Sequence, residues 1–143
     1  RRQRQMCIRD SPETWEQRAA VFRFLEKPQA ELNALVDWAA QEDSHFQFLL
    51  DQLEQASEDL IRWTAARDEP REQSEHVWRN LDGKRSLEAH ALDALKRLGS
   101  AREARRFWTE RAERLFRARL ESLAPLNRKL LTQDILIAWM DLT

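Results

Sequence analysis

Residues 29–67 read QAELNALVDWAAQEDSHFQFLLDQLEQASEDLIRWTAAR, and this stretch decides the predicted fold. With Leu32 in heptad position a, apolar side chains fill nine of the ten a and d positions over five heptads. Neither glycine nor proline interrupts the pattern. Such a repeat predicts a continuous seam helix of a coiled coil or elongated bundle. At about 1.5 Å per residue, this rod would be roughly 58 Å long.

The composition favours helices in the rest of the chain as well. The 143 residues include only two glycines and four prolines, and 34% of them are charged. Hydrophobic residues make up 42%, with six tryptophans and six phenylalanines, which is too large a share for a disordered chain. We therefore predict an all-α protein with a packed core.

Helix breakers divide the chain into a small number of elements. Pro28 precedes the rod, Pro70 follows it, and Gly99 with Ser100 provides a helix end and a new helix start. The prediction is an elongated, antiparallel up-down bundle of three long helices, 29–67, 71–98 and 101–124, with short flanking helices at both ends. Links of two or three residues force neighbouring helices to be antiparallel.

Long heptad helices, short links and tryptophans at Trp38 and Trp63 make this pattern similar to spectrin-type three-helix bundles. The resemblance is architectural and covers residues 29–124. It implies a three-helix bundle with tryptophan in or beside the seam.

The first eleven residues, RRQRQMCIRDS, form a separate segment. Residues 5–11 resemble the translation of a transposase sequencing adapter, CAG ATG TGT ATA AGA GAC AG. We therefore expect residues 1–11 to be non-native, as in environmental sequence data, and residues 12–143 to be one helical domain from a longer protein. Without residues 1–11, the net charge changes from −1 to −4.

Several classes of function lack their usual sequence signals. No apolar run is long enough to span a membrane, and the N-terminus has no apolar signal region. The single Cys7 excludes an internal disulfide framework, and a cytoplasmic location is the expectation. With no nucleophile elbow or glycine-rich phosphate loop, we predict neither an enzyme nor a bound cofactor.

Glu42-x-x-His45 matches one half of a carboxylate-bridged di-iron site in a helical bundle. Such a site needs a second Glu-x-x-His unit. The other histidines, His76 and His90, have no glutamate three residues upstream. We therefore expect no metal site.

An arginine-rich stretch in the last long helix suggests nucleic-acid binding as an alternative function. Its arginines could contact phosphates, and Phe107 and Trp108 could stack on bases. Glutamates are interleaved with these arginines, so a solvated helix face with intrahelical ion pairs explains the same pattern. The candidate residues are Arg102, Arg106, Arg111, Arg114 and Arg117.

Glu42 is the single charged residue in the predicted seam. A carboxylate there destabilises the bundle unless it is paired or reaches water, and paired polar residues in seams can fix the register. Arg119 and Arg105 fall on or near the apolar stripe of the last long helix. We predict a register-setting pair between Glu42 and one of these arginines, with a water-exposed Glu42 as the alternative.

The apolar C-terminal segment is the candidate partner surface. It is dense in apolar side chains, so part of it must be buried or contact a partner. The predicted function is a non-catalytic helical scaffold or protein–protein interaction module that binds a protein partner or itself, with Trp15 and Phe22 as further candidates. The predicted contact residues are Leu130, Ile135, Ile137, Trp139 and Met140.

Overall fold

The structure is a computed structural model that describes residues 12–66, 78–121 and 125–141. These residues are all-helical, with no strand among them, so the all-α prediction is confirmed. The expected non-native segment 1–11 lies outside the described residues. In chain order the helices are α1 (Pro12–Glu26), α2 (Pro28–Gln41), α3 (Asp43–Ala66), α4 (Lys84–Leu98), α5 (Ala101–Glu121) and α6 (Pro125–Met140).

The link between α4 and α5 follows the sequence prediction. Gly99 has a φ of +94° and donates its N–H to the carbonyl of Leu95 at 2.9 Å, so it forms the left-handed cap of α4. Ser100 then accepts the N–H of Glu103 on its Oγ at 3.2 Å and caps the start of α5. This two-residue link makes α4 and α5 antiparallel neighbours.

The predicted continuous rod is wrong, because Glu42 interrupts it. Glu42 has extended backbone angles, φ −146° and ψ 151°, between α2 and α3. In a continuous helix its N–H would bond to the carbonyl of Trp38. The Nδ1–H of His45 donates to that carbonyl instead, at 2.9 Å, and the imidazole stacks on the Trp38 ring with 4.2 Å between ring centroids. The break removes the one charged seam residue from the core.

The directions of the helices also differ from those of the predicted up-down bundle. Trp63 contacts Trp108 and Asp51 pairs with Arg119, so α3 and α5 run antiparallel. An up-down bundle would place its first and third long helices parallel. Since α4 is also antiparallel to α5, α3 and α4 run in the same direction.

The cause lies in the segment before α4. Of the predicted helix 71–98, the structure describes residues 78–98. The α-helix there begins only at Lys84, after a 3₁₀ turn at Leu81–Gly83. Asn80 hydrogen-bonds to the side chain of Asp59 and the carbonyl of Gln55. The segment 78–83, irregular up to Asn80 and 3₁₀ from Leu81, therefore runs back along α3, and α4 starts in the direction of α3.

The core forms between one pair of helices and a group of three. α3 packs on α5, while α2 packs on α1 and α6. At the turn before α4, Gly83 lies so close to the Phe22 ring that a Cβ at this position would overlap it. The largest fully buried side chains include Trp108, Trp139, Phe24, Phe46 and Leu35.

Candidate functional site

The guanidinium of Arg18 on α1 is a buried group with several hydrogen bonds. Its Nε donates to Asp82 Oδ2 at 2.6 Å, and Nη2 donates to Asn80 Oδ1 at 2.8 Å. Nη1 donates to the side-chain oxygen of Gln52 on α3. The guanidinium carbon lies 5.1 Å from the centroid of the Phe22 ring. Arg18, at 8% exposure, thus joins α1, α3 and the segment 78–83.

Asp59 on α3 forms the second half of this network. Its Oδ2 accepts the backbone N–H of Asn80 at 2.9 Å, the Asn80 side-chain amide at 2.7 Å and the backbone N–H of Arg79 at 3.1 Å. Its other oxygen accepts from Arg62. Asp59 is 1% exposed, so these bonds replace its hydration. We call Arg18, Gln52, Asp59, Asn80 and Asp82 the Arg18 cluster.

The Arg18 cluster is suited to holding backbone in place. Its donors and acceptors mainly bond to one another. Asp59 accepts the backbone N–H groups of Arg79 and Asn80, which have no helical partner because these residues lie outside a helix. A carboxylate used in this way is not available to a substrate. The cluster therefore explains how residues 78–80 are held against α3 without forming a helix.

The sequence prediction missed the Arg18 cluster, although one signal was present. Arg18 interrupts the apolar stripe of α1 formed by Trp15, Phe22 and Leu25. A charged side chain inside such a stripe indicates a buried partner. Its partners are 34 to 64 residues away, so heptad reasoning could not supply them.

The arginines of α5 are mostly engaged with carboxylates or carbonyls. Arg114 bonds to Glu121 and Asp134 at 3.2 and 3.1 Å, and Arg106 pairs with Glu110 at 3.4 Å. Arg102 and Arg117 are exposed. The face is therefore a mixture of charges rather than a continuous positive surface.

Arg111 is held by contacts within and beyond α5. Its guanidinium carbon lies 3.6 Å from the centroid of the Phe107 ring, and Nε donates to the carbonyl of Ala138 at 3.1 Å. Ala138 is in the last turn of α6, and its carbonyl also accepts the N–H of Asp141 at 3.4 Å. Burial lowers the pKa of Arg111 from its ordinary value. Arg111 thus fastens the end of α6 to α5.

The predicted register pair involving Glu42 is wrong. The Glu42 carboxylate is 65% exposed, accepts the hydroxyl of Ser44 and lies 3.8 Å from His45 Nε2. Arg119 instead pairs with Asp51 at 2.5 Å and with Glu54 at 3.3 Å. The helix break carries Glu42 out to water, so it needs no arginine.

Arg105 lies too far along α5 to be the alternative partner of Glu42. It precedes Arg119 by 14 residues, which corresponds to about 21 Å along a helix. Because α5 is antiparallel to α3, this displacement carries Arg105 towards the end of α3 that is remote from Glu42. Its Nε is buried without a hydrogen-bond partner, although the side chain has another interaction.

The predicted partner surface on α6 divides into two faces. Ile135 and Trp139 are each 2% exposed and belong to the core, with Met140 packed against it. Leu130 and Ile137 are 56% and 52% exposed. Helical periodicity places Leu130 and Ile137 on the side of α6 opposite Ile135 and Trp139, so these two side chains remain open to a partner.

His90 on α4 is a fully buried histidine beside two tryptophans. Trp108 Nε1 donates to His90 Nε2 at 3.0 Å, and the Trp139 ring centroid lies 5.9 Å from that of His90. Burial lowers the pKa of His90 from 6.5 to about 4, against smaller opposing effects of Asp93 and the backbone of Leu25. The imidazole is therefore neutral at pH 7 and accepts the indole hydrogen bond.

His90 and Trp139 also line a cleft of about 550 Å³. The cleft opens between the α1–α2 link, α4 and the end of α6. Its size is suited to a small molecule. Within the described residues, no three His, Cys, Asp or Glu side chains are grouped so that they could hold a metal ion.

Comparison with known proteins gives no functional assignment. No protein-family model matches the chain, and no curated protein or solved structure is significantly similar to it. Among the described helices, none combines the length and apolar character needed to cross a membrane.

Replacing Asp59 by alanine tests the Arg18 cluster. The variant leaves buried N–H groups and a guanidinium without their acceptor, so we expect Asp59→Ala to lower the free energy of unfolding by about 3 kcal/mol. Urea denaturation followed by tryptophan fluorescence measures this loss. Asp51→Ala is the matched control, because its half-exposed pair with Arg119 contributes about 1 kcal/mol or less. Equal losses in the two variants would contradict the assignment.

The lowered pKa of His90 predicts an acid-sensitive fold. Above pH 6.5 the ring is neutral in both the folded and unfolded states, so the full stability is present. As the pH falls from 6.5 to about 4, only the unfolded state gains a proton, and roughly 3 kcal/mol is lost.

His90→Gln keeps an acceptor for Trp108 without an imidazole. We expect its free energy of unfolding to fall less than that of the wild type over this pH range, when both are measured by urea denaturation at each pH. Parallel pH profiles would show that His90 is not responsible.

Proposed function

We propose that the protein is a non-catalytic helical scaffold that acts through protein–protein contact, with a second copy of the chain as its partner. The observation that carries this proposal is a pair of large apolar side chains on the outer face of α5. Phe116 is 62% exposed and Leu120 is 68% exposed, one helical turn apart. Side chains of this size gain about 1.5–3 kcal/mol each when fully buried.

A shallow groove beside Phe116 supports this choice of surface. The groove lies between α3 and α5, and its lining is mainly apolar, including Ile61 and Ala112. A helix laid along such a groove buries apolar side chains spaced three or four residues apart. Phe116 and Leu120 have this spacing.

Charge at the same face favours a second copy as the partner. Glu113 and Arg117 are exposed, and they flank Phe116 on α5. Around a two-fold axis, antiparallel α5 helices would place Glu113 of one copy near Arg117 of the other. The same surface is therefore complementary to itself in charge and in apolar character.

Two exposed apolar side chains of α6 form a second surface that could contact a partner. Leu130 and Ile137 are two turns apart, with Asp134 between them bonded to Arg114. These two residues are the exposed part of the C-terminal partner surface that the sequence predicted. The predicted likeness to spectrin-type bundles depends on a long unbroken helix and short links, which the break at Glu42 and the start of α4 at Lys84 do not provide, so it carries no part of this proposal.

Nucleic-acid binding receives less support from the geometry. A phosphate-binding face needs arginines whose charge is available. Arg106, Arg114 and Arg119 are paired with carboxylates, and Arg111 bonds to α6. The aromatic residues proposed for base stacking, Phe107 and Trp108, are buried.

Sedimentation analysis over a concentration series tests the proposal. We expect the wild-type chain to form a dimer, and the double variant Phe116→Ser with Leu120→Ser to raise the dimer dissociation constant by at least roughly tenfold. The matched control is Leu92→Ser, which removes a side chain of 52% exposure from α4 and should leave the dimer unchanged.

Two results would contradict the proposal. One is a wild-type chain that remains monomeric at every concentration. The other is a dimer that the Leu92→Ser control weakens as much as the double variant does. Circular dichroism of each variant checks that the helices are retained.

A further inference from the structure

A single residue separates α2 from α3. α2 ends at Gln41 and α3 begins at Asp43, with Glu42 in an extended conformation between them. The Glu42 carbonyl already accepts the N–H of Phe46 at 3.2 Å, with the spacing of an α-helical hydrogen bond. A return of Glu42 to helical backbone angles would therefore join α2 and α3 into one helix.

The sequence around Glu42 is compatible with such a helix. Residues 29–66 contain neither glycine nor proline, and glutamate is among the residues that favour helices. The heptad pattern also keeps its phase across the break, because Ala39 and Phe46 both occupy position a and are both fully buried. A straight helix would therefore keep its apolar side chains on one side.

His45 supports the break through its contact with Trp38. The imidazole stacks on the Trp38 ring and bonds at 2.9 Å to the Trp38 carbonyl, which in a straight helix would accept the N–H of Glu42. The straight form thus exchanges one hydrogen bond on this carbonyl for another. The packing of α1 and α2 then decides mainly between the two forms.

Packing within one chain requires the bend. α2 packs on α6 and buries Leu35, Val36 and Ala39, each at most 2% exposed. α1 packs on α4, and its Arg18 bonds to Gln52 on α3. If the helix straightened in a single chain, α1 and α2 would leave these surfaces and expose apolar area to water, which is unfavourable.

A second copy of the chain supplies the same surfaces. Its α3, α4 and α6 are identical to those that α1 and α2 would leave, so the contacts outside the break can form between two copies. The charges are matched in the same way, since Arg18 meets Asp82 of the other copy in place of its own. A second copy is therefore the partner that these surfaces fit.

We propose that two copies of the chain exchange residues 12–41, with α2 and α3 joined into one helix across Glu42. In this exchanged dimer, α1 and α2 of each copy pack on α3, α4 and α6 of the other. Domain swapping of this kind preserves the contacts of the monomer and changes the hinge. The proposal does not use the outer face of α5, so it is independent of the dimer contact proposed there.

Cross-linking across the boundary of the exchanged segment tests the proposal. Glu26 on α1 and Ser86 on α4 are neighbours, because the Ser86 hydroxyl donates to Glu26 Oε1 at 2.9 Å. Glu26→Cys and Ser86→Cys, in a Cys7→Ser background, provide two thiols that a short bismaleimide can join. The link lies within one chain in the monomer and between two chains in the exchanged dimer.

Every sample also carries Phe116→Ser and Leu120→Ser, which remove the contact proposed for α5. The protein is refolded from urea at millimolar concentration, and the dimer and monomer fractions from size-exclusion chromatography are each cross-linked. On a denaturing gel, we expect the dimer fraction to run at twice the mass of one chain. The cross-linked monomer fraction should run at the mass of one chain.

Two substitutions of Glu42 isolate the effect of the hinge. Glu42→Ala and Glu42→Gly both remove the carboxylate and its bond to Ser44, but alanine favours a helix more than glycine does. Each exchanged dimer contains two joined helices, so we expect its dissociation constant to be roughly tenfold or more lower for Glu42→Ala than for Glu42→Gly. Sedimentation after refolding at several concentrations measures both constants.

The proposal is wrong if the cross-link in the dimer fraction stays within one chain, or if Glu42→Ala forms no dimer at millimolar concentration. Equal dissociation constants for Glu42→Ala and Glu42→Gly would also contradict it. Circular dichroism of the monomer fractions shows that each variant folds. These readouts do not depend on the α5 contact, because its two apolar side chains are replaced in every sample.

Discussion

The contact between the Arg18 guanidinium and the segment 78–83 is the constraint on which the rest of the fold depends. Through Asp82, Asn80 and Gln52 it joins α1, the irregular segment and α3 in one buried network. Burying a guanidinium is costly unless its charge and its donors are matched, and here each nitrogen has a partner. Asp59 meets the same requirement for the backbone of that segment.

The direction of α4 follows from this network, and the cleft follows from the direction of α4. Because the segment 78–83 runs back along α3, α4 points the same way as α3. His90 then contacts Trp108 and Trp139, and the last turns of α4 face the start of α2. In an up-down bundle, the last turns of α4 would lie at the other end of α3.

Local chemistry made the helices predictable, whereas long-range contacts decided their arrangement. Proline at Pro28 and the Gly99–Ser100 caps fix helix ends within a few residues, so the sequence predicted them. Heptad spacing placed Trp63 in the predicted seam, and the structure buries it. The same spacing could not reveal that His45 would stack on Trp38 and break the rod, or that Arg18 would find partners 34 to 64 residues away.

A pulsed electron–electron spin resonance measurement tests the direction of α4 most directly. Nitroxide labels are placed at Lys96 on α4 and at either Ala65 or Ser44, near the two ends of α3, in a Cys7→Ser background. The labelled α3 positions are about 31 Å apart along the helix. The account predicts that the distance from Lys96 to Ala65 is the shorter one. A shorter distance from Lys96 to Ser44 would restore the up-down bundle and contradict the role of the Arg18 cluster.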